Sequence, residues 1–329
     1  MTTSGTRPMG SAHDTGLYVI GQSDLVEIEQ DLVERDPQAP PAPRLDRAEV
    51  PREVRFRVSM MVSADDFEPP KLPEIAVEIL RRAEATDDSA EEMAGLIHRD
   101  PFLAGRLLAA ANSAMFRPRD RAITRLPEAI ARLGRRQVRN IVLAAAMEQT
   151  VYRGPHKEML AEQWRASLGA AVGCRLVNAL TRRDADQAFM LGLLHDVGKP
   201  VLVRCLDEVL DRQGLRTHVD YEELARPILH LLHPRVGALI VTHWKLPRGL
   251  ASVIAHHHDR APPEEHQRWF CTLRIANLLY ECWRDSPEDF DEGGMLEANA
   301  LLARSIRDPD TIRRLLNIYP MALETLLVG

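Results

Sequence analysis

The chain has 329 residues, with 42 Lys+Arg against 48 Asp+Glu, 45% hydrophobic and only 5% aromatic content. That length holds one large domain with appendages or two ordinary ones, and the net charge of −6 opposes polyanions, so nucleic acid is not an expected partner outside a local basic patch. Four cysteines, Cys174, Cys205, Cys271 and Cys282, have no short paired spacing, so neither a zinc ribbon nor a disulfide framework is indicated, which suits a reducing compartment.

Residues 1–13 are rich in Gly, Ser and Thr and are expected to be disordered. Leu17 to Ile20 is a short apolar run, and Asp24 to Val33 can form a small helix. Asp36 to Pro43 carries four prolines and reads as a stiff, extended linker. From Val54 to Val62, the alternation of Val54, Phe56, Val58 and Met60 with polar neighbours predicts a strand.

After Pro69 the signals are helical. Pro73 can occupy the first turn of a helix with Ile75, Ile79, Leu80 and Ala83 on one face. Ser89 and Glu92 have capping-box spacing, and Asp100-Pro101 pairs an N-cap acceptor with proline at the first helical position. Pro127 to Leu133 is closed by Gly134, Gln137 to Met147 follows, and Leu160 to Leu180 carries apolar residues every fourth position. Further helices are predicted over Asp186–Lys199, Pro234–Trp244, Pro247–His258 and Arg268–Trp283. Ser286 to Gly294 is an acidic linker to a helical tail, Leu296 to Leu327, interrupted by Asp308-Pro309 and Pro320. The fold class is therefore all-α: a multi-helix bundle with a short β-like N-terminal segment and a helical C-terminal tail. Its expected divisions are 1–66, 67–285 and 286–329. No window approaches the roughly 20 apolar residues that cross a bilayer, so a cytoplasmic protein without membrane contact is expected.

Leu191 to Lys199 carries the first chemical signal, because adjacent His195 and Asp196 can offer an imidazole and a carboxylate to one cation. Taken alone, such a pair is more often a helix-end histidine beside a solvated aspartate. His233 precedes Pro234 and is expected at a helix entrance, while His256 and His257 fall in a last helical turn, where the helix dipole accounts for surface histidines without any ligand role. Arg135, Arg136 and Arg139, with Arg132, surround Gly134 and can contact phosphate or simply cap a solvated helix end. There is no P-loop, GxGxxG fingerprint or glycine-flanked serine elbow.

Taken together, Leu72-Pro73-Glu74, Arg99-Asp100-Pro101, Ala111-Asn112-Ser113-Ala114, Ala129-Ile130 to Leu133-Gly134, Trp164-Arg165, Gly192 to Lys199, and His233 through Gly237 to Leu246-Pro247 and His256-His257 resemble the HDOD family. These are HD-related output domains of bacterial signalling proteins, and the likeness spans about residues 67 to 259. It implies a helical domain related to the HD phosphohydrolases, whose active members activate water on divalent metals held by His and Asp.

On that resemblance, His195 and Asp196 match the HD pair, Lys199 the basic residue after it and a phosphate contact, and His233, His256 and His257 the later histidines. Two ligands of the active enzymes are missing, since Ala166 stands where a histidine is expected and Asn277 where an aspartate is. Ala166, Gly169, Ala170 and Gly173 share one face of their helix, which predicts close helix packing in place of a cleft. The implied function is a non-catalytic regulatory or protein-interaction module in bacterial signal transduction, with no catalytic residues and no cofactor expected. Its partners would be two-component or cyclic-dinucleotide signalling proteins, or a second copy of itself. The alternatives are a metal-dependent phosphohydrolase acting on a nucleotide or cyclic dinucleotide, and a structural or sensor domain holding a divalent ion (Mn, Fe, Zn or Mg) without turnover.

Overall fold

Helix ends fall where local capping chemistry directs them. Ser89 Oγ accepts from the Glu92 amide at 3.2 Å while Glu92 Oε2 accepts from the Ser89 amide at 2.8 Å, a completed capping box. Asp100 Oδ1 accepts from the Phe102 and Leu103 amides ahead of Pro101. Gly134, at φ 77°, turns the chain between two helices in a conformation that a side chain would strain.

The computed structural model describes residues 50–64, 67–84, 89–113, 116, 121–180, 184–216, 220–246, 248–259, 266–285 and 309–327. Among them are thirteen helices and no strand: α1 (Val50–Ser63), α2 (Glu74–Glu84), α3 (Ala90–Ile97), α4 (Pro101–Ala111), α5 (Leu126–Leu133), α6 (Arg135–Thr150), α7 (Lys157–Leu180), α8 (Ala185–Leu194), α9 (Gly198–Gln213), α10 (Tyr221–His243), α11 (Arg248–His256), α12 (Gln267–Asp285) and α13 (Pro309–Leu327). No described helix is long and apolar enough to cross a membrane. The features expected before residue 50, and those over 286–308, lie outside the described residues.

The chain divides into two compact units, 1–60 and 61–329. In the first, the described residues belong to α1, and this corrects the strand expected from Val54 to Val62. Apolar residues at every second position also fall at every fourth, so the same letters satisfy a helix. Val54 and Val58 are buried at that helical spacing, and Arg57 pairs with Glu53 one turn earlier at 2.7 Å.

In the second unit, α2 to α6 interlock: α2 packs on α6, α3 and α4 pack on α5, and α4 also packs on α6. Helix α7, 24 residues long, is the axis of the remainder and carries α8, α12 and α13 on its faces, while α9, α10 and α11 follow one another as packed neighbours. The small residues of α7 permit this crowding. A Cβ on Gly173 would lie 2.8 Å from the Ala276 Cα of α12, and one on Gly169 would overlap the Tyr280 ring. The C-terminal helix docks here too, with Tyr319 fully buried and its hydroxyl donating to the Gly169 carbonyl at 3.1 Å.

Two boundaries differ from expectation in ways that matter for the site. The helix expected over Asp186–Lys199 is two helices, and His195, Asp196 and Val197 form the turn between them. The helix expected to begin at Pro234 is the second half of α10, which runs through both Pro227 and Pro234. Each proline forfeits one backbone hydrogen bond. Burial of Leu224, Ala225, Ile228, Leu229, Val236, Ile240 and Val241 along the whole length outweighs that loss, so His233 lies inside a helix and not at its entrance.

Candidate metal centre

Two glycines bring the elements of the site together. A Cβ on Gly192 would sit 2.4 Å from the Ala170 carbonyl oxygen, so α8 rests directly on the α7 backbone. One on Gly198 would sit 2.3 Å from the His233 carbonyl oxygen. The first turn of α9 therefore touches the middle of α10, and Asp196, two residues before Gly198, arrives beside the His233 ring.

Around the Asp196 carboxylate, whose side chain is 14% exposed, the neighbours divide between the two oxygens. Oδ2 receives the Lys199 ammonium at 2.6 Å and faces His195 Nε2 at 3.3 Å. Oδ1 faces His233 Nε2 at 3.1 Å and His257 Nε2 at 3.7 Å. The His233 and His257 Nε2 atoms are 3.1 Å apart, and His258 Nε2 is 3.1 Å from that of His233. One donor atom each from Asp196, His233, His257 and His258 falls within 4.8 Å of all the others.

Backbone carbonyls fix the rings. His195 Nδ1 donates to Gly192 O at 2.8 Å, His233 Nδ1 to Leu229 O at 2.7 Å and His257 Nδ1 to Ile254 O at 2.7 Å. With the Nδ1 proton spoken for, a neutral imidazole presents a bare lone pair at Nε2. Burial, more than any neighbour, lowers His233 to about 4 and also lowers His257, so both rings are neutral near pH 7. Burial lowers His258 and His230 as well, with the adjacent imidazoles adding at His258 and Lys199 adding at His230. Burial works against ionisation of Asp196, but the pull of His195 and Lys199 outweighs it and holds the carboxyl well below its ordinary range.

Of the residues expected from the sequence, Asp196, His233 and His257 converge, and His195 stands behind Asp196. Lys199 is engaged with the carboxylate. His256 is exposed, with Nδ1 2.9 Å from Asp259, and the last of the three consecutive histidines, His258, joins the cluster instead. His230, one helical turn before His233, stands 5.0 Å from His258 between ring centroids. Both were legible signals, the first as part of a His-His-His run and the second as an i, i+3 pair on a helix that extends upstream of Pro234.

The arginines lie elsewhere. Arg136 stands 3.7 Å from Asp186, Arg135 and Arg139 also have partners, and Arg132 donates to the Phe116 carbonyl at 2.7 Å. Ala166 and Asn277 are half-buried on α7 and α12, and neither helix supplies a member of the His/Cys/Asp/Glu set among the described residues. The next residue on α7, Ser167, is buried and bonds the Tyr152 hydroxyl at 2.8 Å. Burial pushes that hydroxyl up, with the charge of Asp196 adding to the effect. Three imidazole nitrogens and a carboxylate oxygen make a donor set able to coordinate a divalent metal. It is incomplete relative to an HD catalytic site.

Residues 70–260 match the family model described as HDOD domain. A search of curated proteins finds no match. Among solved structures, a Shewanella amazonensis SB2B protein provisionally named as a metal-dependent phosphohydrolase is 19% identical, covering 84% of this chain and 99% of its own at a TM-score of 0.65. An HDOD domain protein of unknown function from Geobacter sulfurreducens is 21% identical, covering 84% and 98% at 0.58. A Marinobacter aquaeolei VT8 protein provisionally named as a signal transduction protein is 16% identical, covering 85% and 67% at 0.52. At these identities the likeness establishes the shared fold.

Proposed function

Because the chain belongs to the HDOD domain family, we propose that it is a non-catalytic regulatory and protein-interaction module of bacterial signal transduction, working in the cytoplasm. The observation that carries this reading is the one-sidedness of the donor set: all four members come from the α8–α9 turn, α10 and the turn after α11. On the α7 side, Ala166 has no donor, and the glycine face is filled by Tyr280, Ala276 and Tyr319. A hydrolytic site needs ligands or acid-base groups on both sides of a reacting phosphate. The helical body, 67–285, would dock a two-component or cyclic-dinucleotide signalling protein or a second copy, and the segments 1–66 and 286–329 would modulate access to it.

A second reading, a metal-dependent phosphohydrolase acting on a nucleotide or cyclic dinucleotide, is favoured by the cluster itself, buried except at His258, and by the name of the Shewanella relative. A bound ion would supply a Lewis acid there, and Asp196, His233, His257 and His258 would hold it. Purified protein supplied with Zn2+, Mn2+ or Fe2+ and assayed on bis-p-nitrophenyl phosphate and cyclic dinucleotides separates the two. The regulatory reading expects no turnover above the metal-only blank. Metal-dependent turnover that disappears in Asp196→Ala overturns it.

A further inference from the structure

The C-terminal helix is seated on the domain by one face. Leu315, Leu316, Tyr319, Ala322 and Leu323 are buried, whereas Ile318 and Met321 on the outer face are 38% and 53% exposed. Helix α13 packs on α7 and α4 and is tied to α12 through residues 286–308. It covers part of the domain without being enclosed by it.

The fit is close in the middle of α13 and poor at its end. The Tyr319 hydroxyl donates to the Gly169 carbonyl at 3.1 Å. Two turns later, Leu326 lines a remaining cavity of about 20 Å3 with Arg106 of α4, Glu148 of α6 and residues of α7. Arg106 gives one guanidinium nitrogen to Glu148, and its Nε is buried without an acceptor. An aliphatic side chain supplies none, so this N–H carries its desolvation cost while α13 is docked. Apolar surface beside the seat also stays uncovered. Phe102, one turn before Arg106, is 36% exposed, with the Arg106 guanidinium 5.2 Å from its ring.

We propose that the α4–α6–α7 groove is the docking surface for an amphipathic helix of a signalling partner, and that α13 is its tethered stand-in. The partner helix carries an aromatic residue at the place of Tyr319 and, seven residues later on the same face, a glutamine at the place of Leu326. The carboxamide oxygen accepts from Arg106 Nε. A carboxamide suits this place better than a carboxylate, because Glu148 already neutralises the guanidinium. A tethered helix competes at an effective concentration on the order of millimolar. The groove therefore opens to a free helix when that helix binds better than α13 or when α13 is weakened. This deepens the regulatory reading and rests on it in one respect, that the domain acts by docking a partner.

The test uses the full-length protein and a fluorescein-labelled peptide of residues 309–327, in native sequence and with Leu326→Gln, read by fluorescence anisotropy. Tyr319→Ala in the protein removes the deepest anchor of the resident helix and should tighten binding of the native peptide by at least about 10-fold. Tyr319→Phe, which loses the hydroxyl bond alone, should tighten it by about 5-fold. On Tyr319→Ala protein the Leu326→Gln peptide should bind at least about 3-fold more tightly than the native one. Circular dichroism checks that the body stays folded. If Tyr319→Ala unfolds it, hydrogen exchange on the unaltered chain and on Leu326→Gln carries the test. Amides of α13 should exchange at least about 10-fold faster than those of α7, and Leu326→Gln should slow them by at least about 3-fold. Glu324→Gln, on the exposed face, should leave them within about 2-fold.

Exchange of α13 at the rate of α7 makes it part of the cooperative core and overturns the stand-in. A folded Tyr319→Ala protein that binds the peptide no better than the parent overturns the groove as a docking surface. Weaker binding of the Leu326→Gln peptide, or faster α13 exchange in that variant, overturns the acceptor assigned opposite Arg106. A dimer that swaps α13 between copies, detected by sedimentation and abolished by Tyr319→Ala, assigns the groove to a second copy and overturns the separate partner. Metal-dependent turnover beside the expected peptide binding overturns the regulatory reading and leaves the groove standing. Failure of the groove without turnover leaves that reading intact.

Discussion

On one side of α8 the chain is packed backbone to backbone, and on the side beyond its C-terminal end the interior is polar. The α7–α8–α12 wall is built from Gly192 against the Ala170 carbonyl and Gly173 against Ala276, contacts that leave no room for a side chain. The α9–α10–α11 side instead buries His233, His257 and most of Asp196, groups that are costly to desolvate. A wall of glycine and alanine is sealed without desolvating polar groups, whereas a cluster of buried imidazoles around a carboxylate carries that cost. The wall is closely packed and apolar, and the cluster is polar and able to coordinate an ion. That contrast separates this domain from one with ligands on both sides of its HD pair.

The strongest way to break the contrast is to thicken the wall. Gly192→Val would drive a branched side chain into the α7 backbone, which cannot give as a flexible side-chain tip can. A loss of about 3 kcal/mol or more is expected, at the upper end of overpacking costs, and a urea midpoint within experimental error of the parent's would contradict it.

Acid should attack the other side. In chelator-treated protein, a His233 lowered from 6.5 to about 4 stays unprotonated where the unfolded chain binds a proton. Its contribution is therefore complete above pH 6.5 and is lost as pH falls from 6.5 to 4. The loss is roughly 3 kcal/mol for this one group, with His257 and His258 acting in the same direction. Asp196, held low, keeps its contribution through that window and loses it only as pH falls through its own depressed value. Unfolding free energy followed from pH 7.5 to 4 should fall steeply, and His233→Leu should flatten the curve. A profile independent of pH between 6.5 and 4 would show the cluster to be electrostatically ordinary.

Smaller effects sharpen the same division. Ala166→His should cost about 1–2 kcal/mol by overpacking a half-buried position and confer no phosphodiesterase activity; a metal-dependent gain without loss of stability would mean the wall hides a usable cleft. Tyr319→Phe removes the hydroxyl bonded to the Gly169 carbonyl and should destabilise by about 1 kcal/mol, measurable by denaturant titration. Arg136→Ala, at an exposed pair 3.7 Å from Asp186, should change stability by less than about 0.5 kcal/mol.

Much of the fold was legible because capping is local. Ser89 with Glu92, Asp100 with Pro101 and Gly134 each declare a helix end within four residues, and each does so in the structure. The strand expected at Val54 was lost to the coincidence of period two with every second position of period four. The break at His195 and the continuity of α10 through Pro234 were not legible, because both depend on distant packing. Gly198 against His233 and the apolar length of α10 override the local preference of each segment. The misplacement of His233 concealed His230, one helical turn before it. The choice among three consecutive histidines depends on which one the end of α11 turns inward, and a sequence pattern does not encode that rotation.

The most direct measurement is turnover of bis-p-nitrophenyl phosphate and cyclic dinucleotides by the purified protein supplied with Zn2+, Mn2+ or Fe2+. The account predicts no turnover above the metal-only blank. Metal-dependent turnover that disappears in Asp196→Ala would contradict it.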